Sequence, residues 1–293
     1  TGAITVALGN QQAGLFSNDD ALSEKLLAAG KAAIAVAAPT NRHPIKLTNS
    51  HWVIDPDALM RELPLDRIKL VNDFEAIAHG VTALPPENFC HLFGPERGLP
   101  QNGTITVLGP GTGLGVCIIA MVDGNPHIFA TEGGHIDFAP LDQIDDAILA
   151  RLRKRHVRVS VERVVAGPAI SDIYQALASM EGRPVAEEDD IAIWKRGQDG
   201  SDSLAAAAVD RFCMSLGSVA GDIALAQGGF GGVVIAGGLG YRIRDTLLKS
   251  GFSERFKSKG RFQELMASIP VKLIVHPQPG LFGAAAAFVR EHP

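Results

Sequence analysis

Short apolar runs alternate with longer amphipathic stretches along the whole chain. Residues 32–38 (AAIAVAA) form an apolar run stopped by Pro39, and after a polar Thr-Asn-Arg-His-Pro stretch the chain turns apolar again at IKL, which predicts a strand, a turn and a strand. Residues 68–71 predict another strand. It delivers the polar pair Asn72-Asp73 at its C-terminal end, where open α/β sheets place ligand-binding groups. Residues 104–108 (TITVL) and 116–122 (VCIIAMV) predict two strands around a glycine-rich turn. Residues 142–153 predict a helix with Asp142 as its N-cap and a basic last turn. An alanine-rich helical pattern spans 203–227 and is stopped by Gly228-Gly229. A buried-type strand follows at 233–236 before Gly237-Gly238, and 281–290 predict a last helix after Pro277-Gln278-Pro279-Gly280. Strands interleaved with helices indicate the α/β class, and no tandem repeat or low-complexity linker interrupts them.

Composition narrows the reading. With 293 residues, 46% of them hydrophobic, the chain can bury a sizeable core, and its length suggests two lobes with a boundary near Gly103. The formal charge of -5 and pI near 6.0 provide no overall basic field for nucleic acid or anionic lipid, so a phosphorylated ligand must be held by local groups. Cys90, Cys117 and Cys213 stand far apart and form neither a disulfide framework nor a zinc cluster, which fits reduced thiols in a cytoplasm. No apolar run approaches the roughly 18 residues of a membrane span, and the first residues lack the regions of a signal peptide. The chain begins at Thr1 rather than Met.

Several segments carry candidate chemistry. Gly109-Pro110-Gly111-Thr112-Gly113-Leu114-Gly115 sets four glycines at alternate positions between two strands. Glycine permits positive φ and close approach, so successive N–H groups there can converge on a phosphate with the Thr112 hydroxyl beside them; an ordinary glycine-filled hairpin is the alternative. The segment is not a P-loop, since no Gly-Lys-Ser/Thr follows. Asp73 is placed to accept the proton of an attacking hydroxyl, or to form a turn or helix cap. Glu132-Gly133-Gly134-His135 aims a carboxylate and an imidazole from one sharp bend, a pair suited to a polyhydroxyl ligand. Asp137 either joins them or belongs to a solvated cluster with Asp142, Asp145 and Asp146. Ser160-Val161-Glu162-Arg163 reads as a helix start with water-facing charges. Gly237-Gly238-Leu239-Gly240 either admits a nucleotide base or ribose or serves tight strand–helix packing, and the alanines at 205–208, 220 and 224 indicate close helix packing.

Taken in order, the pieces IAVAAPTNRHPIKLTNSHW, VNDFEAIAHG, GPGTGLGV, TEGGHIDFAP, SVERVVAGPA, VVIAGGLG, the SGF and KGRF pieces and PGLFGAAA resemble the bacterial glucokinase family, within the superfamily of acetate and sugar kinases, heat-shock proteins and actin. The resemblance spans roughly residues 34–289. It implies an α/β, two-lobed, actin-like ATPase (ribonuclease H-like) fold with a central cleft. The small lobe would hold 1–103 joined by the C-terminal helix at 277–293, the large lobe 104–276, with the lobes closing on glucose. By position it implies Asp73 as catalytic base, and Asn49, Asn72, Glu132, His135 and Glu162 as sugar contacts. It also implies Gly109, Gly111, Thr112 and Gly113 at the phosphates, Gly237 and Gly238 at the adenosine, and a cytoplasmic homodimer using ATP and Mg²⁺ without nucleic-acid or membrane partners. No metal-binding residue is assigned. No Cys-rich cluster follows His135, which favours the plain glucokinase branch over its zinc-containing relatives. One departure stands out: the family's opening Asp-x-Gly-Gly-Thr-x-x-Arg turn is missing from TGAITVALGNQQAGLF, so the expectation is that the protein as produced carries further residues with that turn.

Overall fold

A computed structural model of the chain describes residues 4–8, 31–38, 40, 44–46, 53–62, 65–185 and 188–291. Asn49 lies outside the described residues, as does all of the opening segment 1–30 except 4–8. Backbone packing divides the chain into two units. The first comprises Thr1–Pro86, Ile128–Ala130 and His276–Pro293, the second Glu87–His127 and Thr131–Val275.

The first unit is built on a parallel sheet of β1 (Ile4–Leu8), β2 (Lys31–Val36) and β5 (Arg67–Asn72), with β2 in the middle. Side chains of β2 alternate between two buried clusters, which is why its sequence reads as a continuous apolar run. Ile34 and Val36 pack with Ile45 and Ile54 of the short hairpin β3 (Ile45–Lys46) and β4 (Val53–Ile54), while Ala33 and Ala35 pack with Val71, Ala76, Ala284 and Phe288. The second face is covered by the helices Asp73–Ala83 and Pro279–Glu291. Their backbones touch: a Cβ on Gly283 would lie 1.7 Å from the Ala76 carbonyl oxygen, and one on Gly80 would lie 2.9 Å from that of Pro279.

This seam buries a histidine. His79 has a side chain only 13% exposed, 4.0 Å from the Glu75 carboxylate, with Arg290 Nη1 3.4 Å from its Nδ1. Burial, reinforced by the positive charges of Arg290 and Lys69, pushes its pKa from an ordinary value near 6.5 to about 4. Between those two pH values the unfolded chain binds a proton that the folded chain does not. The stabilising contribution is therefore fully present above pH 6.5 and is lost as pH falls toward 4, an effect of up to about 3 kcal/mol. Urea unfolding at pH 7 and 4.5 should show His79→Gln losing at least about 1 kcal/mol less than the parent chain. An identical pH dependence in the two proteins would refute this assignment.

A six-stranded sheet has the order β6-β11-β10-β7-β8-β9. Strands β7 (Gly103–Pro110), β8 (Leu114–Val122) and β9 (Asn125–Thr131) follow one another as neighbours, β10 (Gly232–Ile235) runs parallel to β7, and β11 (Val271–Ile274) runs parallel to β10. Strand β6 (Phe89–Phe93) is antiparallel to β11. That pairing draws the segment after Pro86 into the second unit, so the division falls upstream of Gly103.

The helix Ser203–Gln227 runs through the core of this unit, capped by Asp202 at its start and by Gly228 at φ 64° at its end. It is long and apolar enough to cross a membrane by length and composition, in contrast to the reading of short apolar runs. Most of it is instead buried, with Phe212 and Leu216 fully enclosed and Ala205, Ala208, Ala220 and Ala224 at 0% exposure, as close helix packing requires. Asp142 caps the helix Gln143–Arg153. It also shares Arg211 and Arg255 with the buried Asp145, so these acids sit in an ion-pair network rather than a solvated acidic cluster. Asp137 pairs separately with Arg158 at 2.5 Å.

Candidate functional site

In the first unit, Asn72 ends β5 and caps the next helix. Its Oδ1 accepts from the N–H groups of Phe74 at 2.9 Å and Glu75 at 3.1 Å, while its Nδ2 donates to the Ala38 carbonyl at 3.4 Å. The cap is therefore Asn72, and Asp73 is the first residue of the helix, its Oδ1 accepting from Phe74 N at 2.9 Å. Asp73 is exposed at its outer surface, yet the protein packed around it removes enough water to raise its carboxyl above the usual carboxylate range, against the lowering effect of the Phe74 N–H. A carboxylate shifted this way takes up a proton more readily.

In the second unit three segments meet at the tip of the β7–β8 hairpin. Strand pairing continues into the glycine motif, with Gly109 opposite Gly115 and Pro110 opposite Leu114, leaving Gly111, Thr112 and Gly113 as the tip. The turn Gly133–His135 packs directly on the start of β8: a Cβ on Gly134 would lie 2.2 Å from the Leu114 carbonyl oxygen, and one on Gly133 3.0 Å from a Val116 methyl. Gly134 is thus required by close approach to backbone, while a side chain at Gly133 would crowd Val116. Thr131 Oγ1 reinforces the contact by donating to the Val116 carbonyl and accepting from Gly133 N–H, at 3.3 Å each.

The segment beyond the turn is laced to the third piece, the 3-10 turn Val161–Arg163. Phe138 N–H donates to Val159 O, Val161 N–H donates to Ile136 O, and Asp137 bridges Ser160. Glu132, His135 and Glu162 are brought to neighbouring turns in this way. Glu132 and His135 stand 3.7 Å apart with side chains 82% and 57% exposed, so both keep hydrogen-bonding capacity to offer. Glu162 is half-buried rather than water-facing, and its Oε2 accepts from Leu114 N–H at 2.9 Å.

The glycine hairpin differs from its sequence reading in two respects. None of Gly109, Gly111, Gly113 and Gly115 has positive φ, whereas Gly237 does at 91°. Gly113 faces Glu162 instead: a Cβ there would lie 2.4 Å from Oε2, so a side chain would have to move that carboxylate. The amides are also not all available. Gly111 N–H donates to Gly113 O at 2.8 Å and Leu114 N–H to Glu162, which leaves the Thr112 and Gly113 N–H groups without a protein acceptor among the described residues. A Cβ on Gly111 would meet nothing within 4 Å, so the tip opens onto free space.

Two supports escaped sequence reasoning because their partners lie far along the chain. Gly167 N–H donates to Gly111 O at 2.8 Å, and Gly167 O in turn accepts from Trp194 Nε1 at 2.9 Å. Arg158 Nη2 donates to His135 O at 2.7 Å, holding the Glu132–His135 bend from behind. The turn after β10 adjoins the same hairpin: a Cβ on Gly237 would lie 3.0 Å from Pro110 O, and one on Gly238 would project into open space.

A run of neighbouring strands β7, β8 and β9 followed by the parallel β10 and β11, with ligand-suited turns at one hairpin tip, defines an actin-like ATPase fold of the sugar-kinase class. The glucokinase family model matches residues 15–291. The glucokinase of Zymomonas mobilis subsp. mobilis is 53% identical over 261 residues, 89% of this chain and 80% of that protein. The glucokinase of Caulobacter vibrioides is 42% identical over 281 residues, 93% of this chain and 84% of that protein. Among solved structures, a glucokinase from an Antarctic psychrotroph is 32% identical with a TM-score of 0.82, covering 92% of this chain and 85% of that one. The chain belongs to the glucokinase family.

Proposed function

We propose that the chain transfers the γ-phosphoryl group of ATP to the 6-hydroxyl of glucose. The observation that carries this reading is the bond from Leu114 N–H to Glu162 Oε2, which joins a carboxylate suited to sugar hydroxyls to a hairpin tip suited to phosphate. Glu132, His135 and Glu162 bind the sugar, together with Asn72 and with Asn49, and Asp73 takes the proton from the attacking hydroxyl. Thr112 and Gly113 receive phosphate oxygens on a loop shaped by Gly109 and Gly111, and Gly237 and Gly238 line the adenosine. The free space at Gly111 and Gly238 fits such a ligand, since a side chain there would enter the volume it needs. Phosphoryl transfer through a loose transition state calls mainly for positioning, which this residue set supplies, and for charge neutralisation. Mg²⁺ arrives with ATP to neutralise phosphate charge, and no residue is assigned to it. A cytoplasmic homodimer belongs to the same proposal and rests on the family alone.

A coupled assay across glucose, fructose and mannose, with ATP and other phosphoryl donors, tests the reading. The expected result is a preference for glucose and ATP. Preference for another hexose would change the substrate, and absence of transfer from every donor would remove the kinase reading. Glu132→Gln, His135→Ala and Glu162→Gln should each weaken glucose affinity by roughly 1–3 kcal/mol, because each leaves sugar hydroxyls without partners. Unchanged glucose titrations for all three would place the sugar elsewhere.

A further inference from the structure

Arg163 follows Glu162 in the sequence, yet its guanidinium has no ion pair or hydrogen bond among the described residues and stands exposed. Its backbone is held on both sides against the glycine hairpin. Glu162 just before it accepts from Leu114 N–H, and Gly167 shortly after it donates to Gly111 O. Arg163 and Thr112 line one cavity of about 480 Å³ within the second unit. Two further arginines line it, and both are engaged: Arg151 and Arg155 pair with the same oxygen of Asp172, Arg151 Nε at 3.0 Å. Of the remaining carboxylates on the wall, Glu162 accepts from Leu114 N–H through Oε2 and Glu188 pairs with Arg196 at 2.5 Å. The arginine in this cavity whose guanidinium has no ion pair or hydrogen bond among the described residues is therefore Arg163, beside a hairpin tip whose Thr112 and Gly113 N–H groups lack acceptors there.

Two neutral amides and a hydroxyl are a weak match for a polyanion. A guanidinium fork pairs with phosphate oxygens in bidentate, charge-assisted fashion and keeps its charge at every working pH. We propose that Arg163 contacts the phosphate chain of the donor nucleotide at the hairpin tip. This rests on the kinase reading above and adds to it a residue that binds the donor and leaves the sugar alone.

The test compares the parent chain with Arg163→Gln and Arg163→Lys by calorimetric titration of ADP and of adenosine, alongside steady-state kinetics. Because Arg163 makes no structural pair, both variants should unfold at the parent's urea midpoint. Arg163→Gln should weaken ADP binding about tenfold, the equivalent of one charge-assisted contact, and leave adenosine binding unchanged. Arg163→Lys should fall between the two, and KM for ATP should rise while KM for glucose holds. Unchanged ADP affinity overturns the proposal, and so does an equal loss for adenosine, which would mark a structural role. A parent chain that phosphorylates no sugar sinks the kinase reading, whereas an active parent with an indifferent Arg163→Gln sinks only the inference.

Discussion

Asp73→Asn should lower kcat by at least about 10²-fold while glucose binding, followed by titration calorimetry, stays close to that of the parent chain. The carboxamide can still accept the Phe74 N–H and still accept a hydrogen bond from a sugar hydroxyl, so the helix start and the sugar contact survive. It cannot take up the hydroxyl proton. The position of Asp73 strengthens the expectation, because burial raises its carboxyl and makes it a better proton acceptor than a solvated aspartate. In the parent enzyme the group must be deprotonated to act, so activity should fall as pH drops through this raised value, above the ordinary aspartate range. The Asn variant should lack that acid limb. A variant that turns over glucose at near the parent rate would show that Asp73 is not the base.

Gly113→Val should abolish ATP use and weaken glucose binding together. On its sequence alone the hairpin looks like a phosphate cradle whose disruption would spare the sugar. The structure couples the two, since a Cβ on Gly113 would lie 2.4 Å from Glu162 Oε2 and force that carboxylate off the Leu114 N–H. Displacing it leaves a half-buried carboxylate and a backbone N–H unpaired, a cost of roughly 1–3 kcal/mol before any ligand is considered. Gly111→Ala separates the effects. Its Cβ meets no protein atom within 4 Å, so this variant should fold, keep its glucose affinity and lose ADP affinity only. Intact glucose binding in Gly113→Val, or intact ADP binding in Gly111→Ala, would contradict the arrangement described.

Much of this protein is legible in its sequence because the signals are local. Alternation of apolar and polar residues is set by strand and helix periods, so β2, β5, β7, β8, β10 and the helix Ser203–Gln227 lie where the pattern puts them. Caps and stops act within a few residues, which is why Asp142 and Gly228 mark helix ends as read. The candidate site residues are likewise visible as unusual polar and glycine groupings at strand ends. What no local signal carries is which of those groupings touch. The bond from Leu114 to Glu162, the support of Gly167 by Trp194 and the hold of Arg158 on His135 join positions far apart in sequence. So does the shift of the unit division to Pro86, which depends on β6 pairing with β11. The same holds for the glycines of the hairpin: the sequence shows a run of small residues there, and only the tertiary structure shows that Gly113 lacks positive φ and lies against the Glu162 carboxylate. Periodicity is a property of the chain and its own backbone geometry, whereas close approach is decided by whatever distant segment the fold brings up against it.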